Sequence, residues 1–329
     1  MRIDVVTPAE LGPREIERWR ELQRRDPAQD NPFLSPEFTL TVGALRPHVR
    51  VAVVSEGSTI MGFFPHQRHA CGIGRPVAAG LSDLQGMVYD PELELDARRL
   101  LRACGLVTWE FDHLQATQPM FAPYHTSLHP SPVMDLSDGY EAYLKALRAK
   151  SPTTVRMTRY KRNRMGRELG PVHSVFESDD TAALRTLLTW KSRQYQRTGR
   201  SDRFAHPWIV ELVERLHAIR TKGFAGTLSL LYAGDTLVAG HFGLRSASQL
   251  VTWFPTYNTE FGKYSPGLIQ HLAMAEEGAA AGLRAIDMGR GPKAYKESLK
   301  TAEYHVAEGR VARLSPVAGV DWLLREPPR

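Results

Sequence analysis

Apolar positions change their spacing along this chain in an order that predicts its elements. Residues 228–233 (LSLLYA) form an apolar run of strand length, followed by the turn pair Gly234-Asp235. Residues 236–245 (TLVAGHFGLR) and 249–254 (QLVTWF) predict two more strands. The loop at 261–267 (FGKYSPG) then feeds a helix from residue 268 to about 281, and 284–289 (RAIDMG) predicts a short strand. Upstream, helices are expected over 140–150 and 153–169, broken at Ser151-Pro152. A strand at 173–177 and helices at 180–195 and 207–222 follow.

The first part repeats this order loosely. Residues 14–25 place Ile16, Trp19 and Leu22 at helical spacing, and Pro36 suits the first turn of a helix carrying Phe38, Leu40 and Val42. Residues 49–67 alternate like a hairpin turning at Glu56-Gly57. A loop rich in glycine and proline (71–86), a helix over 93–104 and strands at 108–114 and 133–136 complete the pattern. This organisation divides the chain into 1–139 and 140–329.

Composition narrows the classes. The 329 residues are 42% hydrophobic and 24% charged, which is globular. Two cysteines, Cys71 and Cys104, make neither a disulfide framework nor a four-thiolate site, and a reduced, cytoplasmic setting is the simplest expectation. The N-terminal residues contain acids and no long apolar run, so no signal peptide or membrane span is expected. The twelve histidines form no HExxH or Cys/His cluster, so no metal is expected. A formal charge of +6 suits anionic ligands such as phosphates, coenzymes, nucleic acid or acidic glycans.

Candidate chemistry gathers around the 261–267 loop. A loop feeding a helix N-terminus presents amides without intrahelical partners, and these suit phosphate. Gly262, Lys263, Tyr264, Ser265, Gly267 and Leu268 would form that cradle; alternatively the segment is an ordinary turn with Ser265 as N-cap. His241 lies in an apolar strand with Ala239 and Gly243 on its face, either as a proton acceptor beside a substrate or as a hydrogen-bonded structural histidine. Asp287, at a strand end, is either a base or the partner of Arg290 or of a turn. Lys293, Lys296 and Lys300 share a helical spacing, as do parts of the set Lys191, Arg193, Gln194 and Arg197. Asp83, in GLSDLQG, either reaches an acceptor or stabilises its own turn. Residues 150–167 carry seven Lys/Arg and no acid, a basic helix or a nucleic-acid dock.

The runs NPFLSPEF, WKSRQYQRTGRSDRF, LVAGHFGLR, YNTEFGKYSPGLI and IDMGRGPKAYKESL resemble the GNAT acyltransferase superfamily, and more narrowly CelD-type acetyltransferases of polysaccharide synthesis. The resemblance implies an α+β (mixed α/β) fold of two tandem GNAT-like lobes, as in the related Fem-type aminoacyltransferases. Each lobe would be a mostly antiparallel mixed sheet flanked by helices. It implies acetyl-CoA as donor and a small-molecule or glycan amine or hydroxyl as acceptor. Tyr295 matches the tyrosine that protonates the departing thiolate, with His241 or Asp287 as base. Lys191, Gln194, Asp83, Tyr257 and Lys296 would face the acceptor. The phosphate loop departs from the usual Gln/Arg-x-x-Gly-x-Gly/Ala pattern, and Pro266 removes one amide from it. Two alternatives stand beside this reading: a Fem-like transferase that uses charged tRNA, and a non-catalytic glycan- or nucleotide-binding module.

Overall fold

A computed structural model of the chain describes residues 1–291 and 293–313. Pro292 of the run IDMGRGPKAYKESL and residues 314–329 of the expected second lobe lie outside the described residues. The chain opens with β1 (Arg2–Val6), α1 (Pro13–Arg25), α2 (Pro36–Leu45), β2 (Val49–Glu56) and β3 (Thr59–Arg68). Next come β4 (Ile73–Arg75), β5 (Val88–Tyr89), α3 (Ala97–Ala103), β6 (Thr108–Gln115) and β7 (His125–Asp135). Helices α4 (Tyr140–Lys150) and α5 (Pro152–Leu169), strand β8 (Val172–Val175), and helices α6 (Thr181–Arg197) and α7 (Pro207–His217) follow. The chain continues through β9 (Ala225–Ala233), β10 (Thr236–Arg245), β11 (Gln249–Tyr257), α8 (Pro266–Ala280), β12 (Ala285–Asp287), α9 (Ala294–Leu299) and β13 (Ala302–Ala312).

Two compact units result. One holds Met1–Pro130 and the described residues from His305 on; the other holds Ser131–Tyr304. The division expected after residue 139 therefore falls inside β7, and the end of the chain returns to the first unit. The sequence pattern predicts neither β1 nor β13, and the helix expected over 93–104 is confined to Ala97–Ala103, where Asp96 accepts from the Arg99 amide. In the first unit the strand order is β1-β2-β3-β4-β6-β13. Its pairs are antiparallel except β4 with β6. Helix α1 fastens to this sheet through Trp19, which stacks on Phe63 of β3 at 4.7 Å and donates to the Leu34 carbonyl. Both are mixed sheets flanked by helices.

The second unit orders its strands β7-β12-β11-β10-β9-β8. Side chains alternate between the faces of β10. Gly240 faces Leu187 of α6, and Phe242 meets His217 of α7 edge-on. On the opposite face, Ala239 packs with Met165 of α5 and Ile269 of α8. Burying such apolar surfaces, at about 25 cal/mol per Å², is what fixes the helices to the sheet. The β11–β12 pair is parallel and short: Gln249, Leu250 and Val251 face Ala285, Ile286 and Asp287. Strand β11 then runs on to Tyr257 with no strand beside it on that edge among the described residues. Among the described residues, no helix is long and apolar enough to cross a membrane.

Candidate active site

The open edge of β11 borders a cavity of about 370 Å³. Its walls are Gly240 of β10, Pro255, Thr256 and Tyr257 of β11, Gly262 and Ser265 before α8, Gly267, Leu268, Gln270 and His271 of α8, Lys191 and Gln194 of α6, and Lys293 and Tyr295 near α9. Pro255 tolerates its position because a proline lacks an amide, and a strand loses no ladder bond where that amide would point away from the sheet. Its carbonyl accepts from Lys191 Nζ at 2.7 Å.

The approach to α8 is tighter than an open loop. Thr259–Tyr264 forms a 3-10 turn, and Ser265 takes a left-handed conformation (φ 54°, ψ 53°) before Pro266 begins the helix. A non-glycine residue in that region is strained by roughly 1–2 kcal/mol. The strain is held by Lys161 of α5, whose Nζ donates to Ser265 Oγ at 2.7 Å. Ser265 occupies the N-cap position, yet its side chain makes no capping bond. Two amides expected in the phosphate cradle are engaged instead: Ser265 N donates to Gly262 O and Leu268 N to Ser265 O, both at 3.0 Å. The cradle narrows to Gly267 and the glycine surfaces. A Cβ added at Gly262 or Gly267 would meet nothing closer than the Tyr257 ring at 3.9 Å, so neither packing nor a positive φ demands glycine there. Both open toward the cavity, which suits the close approach of a phosphate or pantetheine chain.

Several sequence-predicted residues sit elsewhere. His241 was expected to leave room for a substrate beside Gly243; the imidazole itself fills that room, since a Cβ at Gly243 would lie 2.5 Å from its Cε1. The ring is fully buried, both nitrogens lack partners among the described residues, and it does not line the cavity. Burial drives its pKa well down. Asp287 is also buried and accepts from Ser131 Oγ (2.7 Å), Gly289 N (2.8 Å) and Tyr304 Oη (2.5 Å), so this carboxylate organises its own surroundings. Burial raises its pKa against these donors. Lys263 pairs with Glu168 at 3.1 Å, and Tyr264 is buried with its hydroxyl on Glu168. The expected basic face dissolves: Lys296 is buried and donates to the carbonyls of Gly289 (2.7 Å) and Arg290 (3.0 Å), while Lys300 pairs with Glu297 and Glu303. Asp83 belongs to the first unit, in the loop between β4 and β5, and is not among the lining residues.

Tyr295, Gly262, Ser265, Gly267, Leu268, Lys191, Gln194 and Tyr257 do come together around the cavity. The sequence pattern passes over His271 and Gln270, which share it. His271 Nδ1 lies 2.7 Å from the Gly267 carbonyl, which can only accept, so Nδ1 carries the proton and Nε2 is left with its lone pair. Nε2 is buried without a partner among the described residues, and the ring lies 5.3 Å from that of Tyr295. Burial lowers the His271 pKa, and Lys296 adds to this against the Gly267 hydrogen bond, so the ring stays neutral at neutral pH. Gln270 is likewise buried, with neither amide atom paired among the described residues. A Gln-His pair inside the apolar run LIQHLAMA is the signal available in the sequence. Among the described residues, no group of three His, Cys, Asp or Glu could hold a metal.

Three antiparallel strands, a helix, and a parallel strand that parts from its neighbour beside the helix N-terminus constitute the GNAT acyltransferase fold. Residues 153–297 match the family model described as acetyltransferase (GNAT) domain. By structure, the chain is similar to FemX (11% identity, TM-score 0.64, covering 97% of this chain and 99% of that one). It is similar to the C-terminal domain of a putative lysylphosphatidylglycerol synthetase from Agrobacterium fabrum (11%, TM-score 0.57, 94% of each). It also resembles a tandem GNAT protein from the clavulanic acid biosynthesis pathway (10%, TM-score 0.51, 94% and 98%). No curated protein matches the chain by sequence.

Proposed function

We propose that the chain is an acyl-CoA-dependent acyltransferase that transfers an acyl group, in the first instance acetyl, directly to an amine or hydroxyl of a small-molecule or glycan acceptor. The observation that carries this is the cavity between the open edge of β11 and the start of α8, with His271 and Tyr295 among its lining residues. Acetyl-CoA, when bound, supplies a thioester carbonyl as electrophile and a thiolate as leaving group. Gly262 and Gly267 admit the donor closely beside the open β11 edge. His271 Nε2 takes the proton from the attacking nitrogen or oxygen as the new bond to the acyl carbon forms. Tyr295 gives its hydroxyl proton to sulfur as the carbon–sulfur bond breaks. Holding donor and acceptor in one cavity supplies much of the rate by positioning.

The base is thus assigned to His271 in place of His241 and Asp287, neither of which lines the cavity. A role in polysaccharide-precursor acylation fits a cavity walled by amides and hydroxyls, and labelled acetyl-CoA with glycan precursors, read by mass spectrometry, tests it. Calorimetry with acetyl-CoA tests the donor. Binding in the micromolar to millimolar range supports the reading, and absence of heat and of thermal stabilisation at millimolar acetyl-CoA refutes it. Tyr295→Phe is expected to retain donor binding while turnover falls by at least about tenfold.

A further inference from the structure

The cavity has a charge imbalance that a neutral acceptor leaves unanswered. Lys191 is 7% exposed on the inner face of α6, and its ammonium meets two protein groups. One is the Pro255 carbonyl at 2.7 Å, and the other is the Tyr195 ring, whose centroid is 5.4 Å away. It makes no ion pair among the described residues. The other charges felt at Lys191 have its own sign: Lys293, Arg200, Arg203 and Lys296 all act on it. Lys293 shares the cavity wall, and no aspartate or glutamate lines the cavity among the described residues.

A buried cation without a carboxylate is costly, and proteins ordinarily pair it or replace it. Here burial, followed by those neighbouring cations, pulls Lys191 down to about 7. A carbonyl and a ring face are weak compensation beside a carboxylate or phosphate oxygen, which would form a charge-assisted hydrogen bond in the same space. The cavity is also lined by Gln194, one turn from Lys191 on α6, and by His271 of α8, whose buried Oε1 and Nε2 have no partner among the described residues. The cavity is therefore cationic at Lys191 and Lys293, with a neutral imidazole at His271.

Resting on the acyltransferase reading, we infer that the acceptor carries an anionic oxygen group, a carboxylate or a phosphate, which binds Lys191 and Lys293 and turns its amine or hydroxyl toward His271 Nε2. The anion selects the acceptor and takes no part in bond making.

The test uses the full chain and three amino sugars that share one amine: glucosamine, glucosamine 6-phosphate and muramic acid. Their dissociation constants are measured by calorimetry on the protein alone and with acetyl-CoA present. The expected result is that at least one anionic sugar binds about tenfold or more tighter than glucosamine. Whether the phosphate or the carboxylate sugar does so identifies which group is read. In Lys191→Met that preference should vanish while acetyl-CoA affinity changes by less than about threefold. Lys293→Met, at an exposed position, should reduce the preference partially and serves if the first variant misfolds. Equal binding of all three sugars overturns the inference. So does a loss of acetyl-CoA affinity in Lys191→Met as large as the loss of anionic-sugar affinity, because the lysine would then serve the donor's phosphates. If acetyl-CoA fails to bind the unaltered chain, the acyltransferase reading falls, while the anion preference is still read on the protein alone.

Discussion

Replacing Lys191 by methionine should make the protein more stable, and only on the acid side. Burial takes this lysine from its ordinary 10.5 to about 7. At about 1.4 kcal/mol per tenfold change in proton affinity, keeping the charge inside the folded state costs on the order of 5 kcal/mol. The folded value lies below the unfolded one, so the unfolded chain binds more protons between pH 7 and 10.5. Stability of the unaltered protein should therefore rise across that window, and the full cost applies below pH 7. Lys191→Met removes the charge, keeps most of the volume and forfeits the hydrogen bond to Pro255, which contributes about 1 kcal/mol. The net gain expected at about pH 6 is roughly 2–4 kcal/mol, falling to zero or slightly below near pH 10. Urea unfolding followed by tryptophan fluorescence, comparing the two proteins at each pH, measures the difference directly. A variant less stable than the parent at acid pH, or a difference that does not change with pH, would show that Lys191 is already compensated, and the reasoning would be wrong.

Three further outcomes are expected. His271→Gln should lower kcat by about 10²–10³-fold. Because burial lowers the His271 pKa, kcat/KM of the unaltered enzyme should hold through neutral pH and decline only below 6.5 as the ring takes up a proton; rate profiles of the variant should lack that limb. Gly267→Leu should weaken acetyl-CoA binding by at least about tenfold in calorimetry, with little change in Tm, since only the Tyr257 ring stands near the added side chain. Asp287→Asn leaves donors of the Ser131, Gly289 and Tyr304 set facing an amide NH₂, and should destabilise by roughly 2–3 kcal/mol in denaturation while turnover per folded molecule changes by less than about threefold.

Much of the second unit was legible because its elements follow one rule at a time. Strand β10 and helix α4 have the bounds that their alternation and periodicity predict. Strand β1 escaped because its five residues are at most half-buried and its partner β2 lies some 45 residues away in sequence. The glycine loop is visible in the sequence, but whether it is a cradle of free amides or an ordinary turn is not. Whether an amide is free depends on turn type, and the left-handed Ser265 closes two of them in a way no local propensity favours for serine. The histidines show the same limit. A strand pattern gives the face on which His241 points but not how deep α8 buries it, and helical spacing cannot say that His271, one turn after Gly267, finds its tautomer fixed by that residue's carbonyl. Tyr295 is legible only through family resemblance, and of the two readings open for Asp287, base or partner of a turn, the hydrogen bond from the Gly289 amide matches the second.

The unaccompanied half of β11 carries a risk unrelated to catalysis. A bare strand edge is a template on which a second chain can register its own backbone and begin to aggregate. Pro255 interrupts that template, because a visiting strand would find no amide there and would find the carbonyl of Pro255 itself already taken by the Lys191 ammonium. The same two residues thus let the protein leave this edge without a neighbouring strand while denying it to polypeptide.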